Sequence, residues 1–200
     1  MAGSPHKIQR IITLSSGKSR GSNLLSIYRF FAEQHLPVEI ATAVFTSAKS
    51  PACASCQELG IPTLIIPAGD MLAFEERLVA LAYKENAQLI ALCGFMKLLS
   101  PDCLAALKIP VLNIHPALLP KYGGRGMYGM KVHEAVFAAG ESFSGATIHR
   151  VDPIYDHGEI LSQKTVDIAD CSCPQEIADR VLAIEHEIYA PTILDELQRL

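Results

Sequence analysis

The sequence predicts an α/β fold: a mostly parallel, twisted sheet flanked by helices, with an antiparallel hairpin near the C-terminal half. Short runs of Val, Ile and Leu alternate with helical segments as far as residue 115, which is typical of parallel strands covered on both faces. Two later strand-like segments flank a turn at residues 152–158, which indicates a hairpin. The chain has 200 residues, 50% of them hydrophobic, and we expect one domain over residues 1–200. Residues 8–115 form a first half built of βαβ units. Residues 116–200, with a loop, the hairpin and the last helix, complete the domain.

Each element has a local signal. Aliphatic or alternating runs predict strands at residues 11–14, 38–45, 63–66, 89–93, 111–114, 145–151 and 159–166. Apolar residues near 3.6-residue spacing predict helices at residues 24–32, 52–59, 71–86, 130–139 and 174–200. A further short helix begins at Ser100-Pro101-Asp102, because Ser caps a helix and Pro suits its first turn. Gly60 is expected to end the second helix, and Pro191 to bend the last one.

Composition excludes several classes of protein. A formal net charge of −4 argues against a nucleic-acid partner held through its phosphates. The apolar runs are too short to span a bilayer, and residues 1–10 contain no apolar stretch typical of an export signal. Six cysteines without an export signal favour free thiols in a reducing cytosol, so we expect a cytoplasmic protein with no membrane partner.

Metal binding is not expected. Cys53-x-x-Cys56 and Cys171-x-Cys173 are too far apart in sequence for ordinary zinc spacing. Four histidines of the second half lack the i, i+4 pairing with an intervening carboxylate that marks a helical metal site: His133, His149, His157 and His186.

The connection between the first strand and the first helix is a candidate anion site. It contains Gly21, Ser22 and Asn23, and Lys18 and Arg20 add positive charge. Backbone N–H groups at a helix start bind phosphates, and ligands of parallel sheets bind beyond the carboxyl ends of the strands. The alternative is a tight turn in which Ser22 or Asn23 caps the helix.

A second candidate site lies at the end of the fifth strand. Asn113 and His115 project from the same face of that strand, because side chains alternate along it. An amide donor and an imidazole together can stabilise a carbonyl oxygen on which negative charge develops. Asp156, in the hairpin turn, could pair with His115 and favour its protonated form, or could serve only as a turn residue.

Four segments together resemble a known enzyme family. They are residues 93–101, residues 113–122, Gly21-Ser22-Asn23-Leu24 and residues 145–158. The chain is similar over essentially its whole length to the folate-dependent formyltransferases, and most similar to the branch that acts on glycinamide ribonucleotide. The resemblance implies a Rossmann-like fold and an enzyme of purine biosynthesis. It also implies formyl transfer from 10-formyltetrahydrofolate to the amine of glycinamide ribonucleotide, without a metal.

The same resemblance implies a role for individual residues. The catalytic residues would be Asn113, His115 and Asp156, with Asp156 raising the pKa of His115. The residues that bind the ribonucleotide would be Gly21, Ser22, Asn23 and Glu185. The residues that bind the folate would be Met96, Lys97, Leu98, Leu99, Asn113, Asp152 and Asp156. A monomer or a homodimer is expected.

The chain departs from the family pattern at a few positions. Lys18-Ser19-Arg20 lengthens the phosphate loop, Lys97 stands where Arg is common, and Cys93 stands where Ala is common. A basic residue of some members is replaced near Met71. The glycine-rich loop at residues 121–129 is expected to be mobile beside the site.

Alternative functions are a formyltetrahydrofolate hydrolase, a formyltransferase acting on a sugar nucleotide or an aminoacyl-tRNA, and a non-catalytic nucleotide or folate sensor.

Overall fold

One seven-stranded sheet forms the centre of the computed structural model, which describes residues 8–17 and 20–200. Its strands are β1 (Gln9–Ser15), β2 (Val38–Phe45), β3 (Thr63–Ile65), β4 (Leu89–Leu92), β5 (Val111–His115), β6 (Phe143–Arg150) and β7 (Ile160–Asp167). The helices of this described part are α1 (Ser22–Glu33), α2 (Pro51–Glu58), α3 (Met71–Lys84), α4 (Pro101–Leu107), α5 (Met130–Ala138) and α6 (Pro174–Gln198).

The strand order is β3-β2-β1-β4-β5-β6-β7. The strands from β3 to β5 are parallel to their neighbours, whereas β6 runs antiparallel to both β5 and β7. The predicted α/β class, the mostly parallel sheet and the antiparallel hairpin are thereby confirmed. The chain moves outward from β1 to β3 and then returns to β4. The crevice between β1 and β4 is therefore the switch point at which such sheets bind ligands.

Helices cover both faces of the sheet. Ile11 and Ile12, adjacent in β1, are both fully buried and belong to two different apolar clusters. One cluster contains residues of α1 and α6, and the other contains residues of α3 and α4. Because successive side chains of a strand point to opposite faces, this burial explains the uninterrupted aliphatic runs of the sequence.

Helix α6 is attached to the middle of the sheet by a buried hydroxyl. Tyr189 is only 1% exposed, and its Oη lies 2.9 Å from the carbonyl oxygen of Leu92 and 3.0 Å from that of Leu112. These carbonyls belong to β4 and β5, and β4 borders the crevice. The contact therefore fixes the position of α6 relative to that crevice.

The local signals account for most element ends. Ser100 caps α4, its Oγ accepting a hydrogen bond from the Cys103 N–H at 3.1 Å, as predicted. Helix α2 ends at Glu58, Leu59 is its C-cap, and Gly60 comes next, so the helix ends at this glycine as predicted. The prediction for α3 was wrong at its end: the helix stops at Lys84, because Asn86 adopts a left-handed φ of 50° that cannot continue a helix. Pro191 lies inside α6.

In the described residues, no helix combines the length and the apolar character needed to cross a membrane. The six cysteines are free thiols.

Close packing in the hairpin makes Gly145 of β6 sensitive to substitution. A Cβ at this position would lie 2.0 Å from the Lys164 carbonyl oxygen and 2.7 Å from Leu118 Cδ2. We expect Gly145→Ala to lower the free energy of unfolding by about 2 kcal/mol or more, because the backbone of β7 must move. Gly69→Ala is the matched control, since nothing lies within 4 Å of its added methyl group. Urea denaturation measures both, and equal midpoints for the two variants would contradict the packing argument.

Candidate active site

A pocket of about 700 Å³ lies beyond the carboxyl ends of β4 and β5. Its wall is formed by the start of α1, the segment after β4, the end of β5, the glycine-rich loop, the hairpin turn and helices α5 and α6. Each of these segments follows the end of a strand or lies opposite the end of a strand. The pocket therefore lies beyond the carboxyl ends of the strands, where the sequence predicts that a ligand binds.

Strand β5 carries two candidate catalytic side chains into this pocket. Asn113 is partly buried, and its Nδ2 lies 3.1 Å from His149 Nε2 on the neighbouring strand. His115 is 3% exposed, and its Nε2 lies 2.8 Å from the Tyr122 carbonyl oxygen. A carbonyl oxygen only accepts hydrogen bonds, so His115 Nε2 carries a hydrogen. In the neutral ring, Nδ1 is therefore the nitrogen that is free to take up a proton.

Asp156 joins this pair from the hairpin turn. Its Oδ2 lies 3.5 Å from His115 Nδ1, and its Oδ1 lies 3.6 Å from His149 Nε2. Oδ2 also accepts a hydrogen bond of 2.9 Å from the Gly124 N–H. The Asp156 backbone has a left-handed φ of 54°, a conformation that Asp tolerates better than most residues. The structure thus brings together the three predicted catalytic side chains.

Burial and charge act in opposite directions on His115. Burial lowers its pKa most strongly, and the Asp156 carboxylate raises it. The net pKa of His115 lies below its ordinary value. Asp156 therefore raises the pKa of His115 in the predicted direction, while the cost of burying a cation exceeds this attraction. Burial is also the largest influence on Asp156 and raises its pKa; the contacts with His149, His115 and the Gly124 N–H together lower that pKa below its usual range.

His149 is a member of the site that the sequence analysis did not identify. Its Nδ1 lies 3.0 Å from the Arg150 carbonyl oxygen, so Nδ1 carries a hydrogen and Nε2 of the neutral ring accepts from Asn113. This contact fixes the direction in which the Asn113 amide points. The only available signal was the antiparallel register, in which Asn113 pairs with His149.

The start of α1 forms a second part of the pocket. Its N-cap is Gly21, with a φ of 76°, and among the described residues no side chain makes a capping hydrogen bond there, so capping by Ser22 or Asn23 was wrong. A Cβ at position 21 would lie 2.4 Å from Ala52 Cβ, which explains the glycine. Arg20 also lines the pocket, whereas Lys18 and Ser19 of the lengthened loop lie outside the described residues.

Glu185 approaches the start of α1 from α6. It is 8% exposed, and its Oε2 accepts a hydrogen bond of 2.7 Å from Asn23 Nδ2. Burial raises the pKa of Glu185 to about 7, and the hydrogen bond from Asn23 opposes that shift. The predicted residues for the ribonucleotide are thus adjacent in space, although Asn23 and Glu185 are 162 positions apart in sequence.

The predicted folate residues all line the pocket: Met96, Lys97, Leu98, Leu99 and Asp152, together with Asn113 and Asp156. They differ in exposure, because Met96 is 50% exposed and Leu99 is buried in the apolar core. Lys97 donates through Nζ to the Ala68 carbonyl oxygen, so its charge is directed to the backbone. Asp152 holds the hairpin turn by accepting from the Ile154 N–H at 2.8 Å and by an ion-pair contact of 2.6 Å with His157.

The glycine-rich loop contacts the catalytic side chains through its backbone. Its first residues contribute the Tyr122 carbonyl to His115 and the Gly124 N–H to Asp156. Lys121 and Tyr122 both bond to Glu141 at the start of β6, which anchors this end of the loop. Within the described part of the chain, no group of three or more His, Cys, Asp or Glu residues is placed to hold a metal ion.

The chain matches a protein family over most of its length. The family model for formyl transferases matches residues 9–193, nearly the whole described chain. The chain is 35% identical over 199 residues to a chloroplastic phosphoribosylglycinamide formyltransferase of Arabidopsis thaliana, covering 96% of this chain and 67% of that protein. It is 28% identical to the phosphoribosylglycinamide formyltransferase of Bacillus subtilis, covering 95% of each. It spans only 56% of the related protein from Vigna unguiculata.

Solved structures show the same fold. A phosphoribosylglycinamide formyltransferase from Brucella melitensis superposes with a TM-score of 0.85 at 28% identity, covering 96% of both chains. One from Coxiella burnetii superposes with a TM-score of 0.81 at 32% identity, covering 92% of this chain and 85% of that one. The architecture is therefore shared along nearly the full length.

Proposed function

The chain belongs to the formyl transferase family, among the phosphoribosylglycinamide formyltransferases, and on this basis we propose that it transfers a formyl group from 10-formyltetrahydrofolate to the amine of glycinamide ribonucleotide in purine biosynthesis. The convergence of Asn113, His115 and Asp156 at one end of the pocket is the observation that carries this proposal. Asn113 and His115 are held on β5, and Asp156 in the hairpin turn accepts from the Gly124 N–H, so this support comes from the protein itself. Such preorganisation favours the transition state of a reaction in which charge develops.

The reaction forms a bond between the acceptor nitrogen and the formyl carbon and breaks the bond from that carbon to the folate nitrogen. Negative charge develops on the formyl oxygen in between. Asn113 donates to that oxygen through the N–H of its amide that is not directed to His149. The amine must lose a proton and the departing folate nitrogen must gain one.

His115 carries that proton from one nitrogen to the other. Its ring is neutral in the unliganded site, since burial holds its pKa below the ordinary value. A proton taken up at Nδ1 is stabilised by the Asp156 carboxylate, and the Tyr122 carbonyl holds the opposite nitrogen. The imidazolium then lies beside the developing oxyanion and can return the proton to the leaving group.

The acceptor lies along α1 and α6 in this proposal. The start of α1, with Gly21, Ser22 and Asn23, receives the phosphate, because backbone N–H groups and the helix dipole at a helix start favour an anion. The Glu185 carboxylate, oriented by Asn23, accepts hydrogen bonds from the ribose hydroxyls. The reactive amine then reaches His115.

The formyl donor occupies the other wall. Met96, Leu98 and the turn that contains Asp152 supply an apolar surface with a polar edge, which suits the flat pteridine ring of a folate.

The free thiols of the chain suit a reducing compartment, and we place the activity in the cytosol.

A product assay tests the proposed function. Purified protein should formylate glycinamide ribonucleotide when 10-formyltetrahydrofolate is present, and His115→Ala should lower kcat about 100- to 10,000-fold while the fold survives. His35→Asn is the matched control, because His35 is exposed, lies away from the pocket and has a φ that Asn tolerates.

Three other results would contradict the proposal. Release of formate without acceptor would favour a hydrolase, and product formation only with a sugar nucleotide or an aminoacyl-tRNA would favour a different acceptor. Tight binding of both ligands without any product would indicate a non-catalytic sensor.

Glu185 predicts a pH dependence of acceptor binding. Its pKa of about 7 means that the carboxylate becomes protonated as the pH falls below 7 and loses an acceptor oxygen. The KM for glycinamide ribonucleotide should therefore rise between pH 8 and pH 6, more steeply in the wild type than in Glu185→Gln. The substrate phosphate also titrates near pH 6, so the difference between the two profiles isolates Glu185. Profiles of equal steepness would refute the assignment.

A further inference from the structure

His133 is a buried imidazole for which the reaction as described has no use. It lies in the first turn of α5, is 6% exposed and forms part of the pocket wall. Its Nδ1 is buried without a hydrogen-bond partner among the described residues. A buried polar atom without a partner costs about 1–3 kcal/mol, so the position is unfavourable unless a ligand supplies the missing contact.

The charge state of His133 limits what it can bind. Burial is the main cause that lowers its pKa to about 4; His115 lowers it further and Asp179 of α6 raises it. The ring is therefore neutral at physiological pH. A neutral imidazole has one N–H donor and one acceptor nitrogen, so it matches a neutral group with both functions better than an anion.

The position of His133 indicates which ligand it faces. It lines the same pocket as His115 of β5 and Asp179 of α6, and its helix α5 packs against α6. Glu185 lies on the same helix as Asp179, six residues further along, and lines the pocket too. The folate wall, by contrast, is formed by the segment after β4 and by the hairpin turn.

We propose that His133 hydrogen-bonds the amide of the glycinamide group in the bound acceptor, which rests on the function proposed above. An acceptor that extends from the start of α1 past Glu185 to His115 has its amide between the ribose and the reactive amine. That amide offers a carbonyl oxygen, which accepts from an imidazole N–H, and an N–H, which donates to an unprotonated imidazole nitrogen, and His133 makes one of these two bonds. His133 is then a specificity-determining residue that distinguishes the glycinamide compound from other ribose phosphates.

Calorimetric titration without the formyl donor tests this assignment independently of turnover. His133→Leu should weaken the binding of glycinamide ribonucleotide about tenfold and leave that of ribose 5-phosphate, which lacks the amide, unchanged. The variant should be as stable as the wild type or more stable, because an apolar side chain replaces an unpartnered polar one. His133→Gln, which keeps a donor and an acceptor, should retain most of the affinity.

His186→Leu is the matched control. His186 also has a buried ring nitrogen without a partner among the described residues, but it is not part of the pocket wall, so its replacement should leave both affinities unchanged. Should His133→Leu not fold, His133→Ala supports the same comparison.

Two outcomes would overturn the proposal: unchanged affinity of the His133 variant for glycinamide ribonucleotide, or an equal loss for both ligands. Wild-type protein that binds glycinamide ribonucleotide but forms no product would refute the proposed function alone, since the binding comparison remains valid. Wild-type protein that does not bind it would overturn both.

Discussion

The ionised carboxylate of Asp156 is the group on which the arrangement of the candidate active site depends. It faces two buried imidazoles, of His115 and His149, and also accepts a backbone hydrogen bond from Gly124. Burying a carboxylate is costly unless hydrogen bonds and opposite charge compensate for it. Here the glycine-rich loop supplies a hydrogen bond from the Gly124 N–H, and His115 on β5 supplies opposite charge when it takes up a proton at Nδ1. The carboxylate thereby contacts β5, β6 and the glycine-rich loop around the pocket.

The fold supplies these neighbours through register rather than through sequence proximity. The antiparallel pairing of β5 with β6 places His149 opposite Asn113, so the ring that contacts Asp156 also orients the catalytic amide. The return of α6 across the sheet, fixed by Tyr189, brings Glu185 to the start of α1. The two parts of the pocket, one with the start of α1 and one with Met96 and Leu98, meet at the end of β5.

Much of this arrangement could be predicted from the sequence because its causes are local. Aliphatic runs covered on both faces define the parallel strands, and alternation along β5 places Asn113 and His115 on the same face. The part played by His149 could not be predicted, since it depends on the register between strands. The pKa of His115 could not be predicted either, because its direction depends on how deeply the ring is buried. The N-cap of α1 is Gly21 and not Ser22 or Asn23. A glycine is needed at this position because α2 packs too closely for a side chain, which is a contact between distant residues.

The described pocket also contains polar atoms that the protein leaves unpartnered, namely Asn23 Oδ1 and His133 Nδ1. Such atoms lower stability, and their position on the pocket wall is consistent with contacts completed by ligands.

The central claim is that Asp156 acts through His115, and a double-mutant cycle in kcat tests it most directly. His115→Ala, Asp156→Ala and the double variant are compared with the wild type in the formyl-transfer assay. If the two residues act as one unit, the double variant will be about as slow as the slower single variant. If the two losses instead multiply, the residues act independently and the account is contradicted.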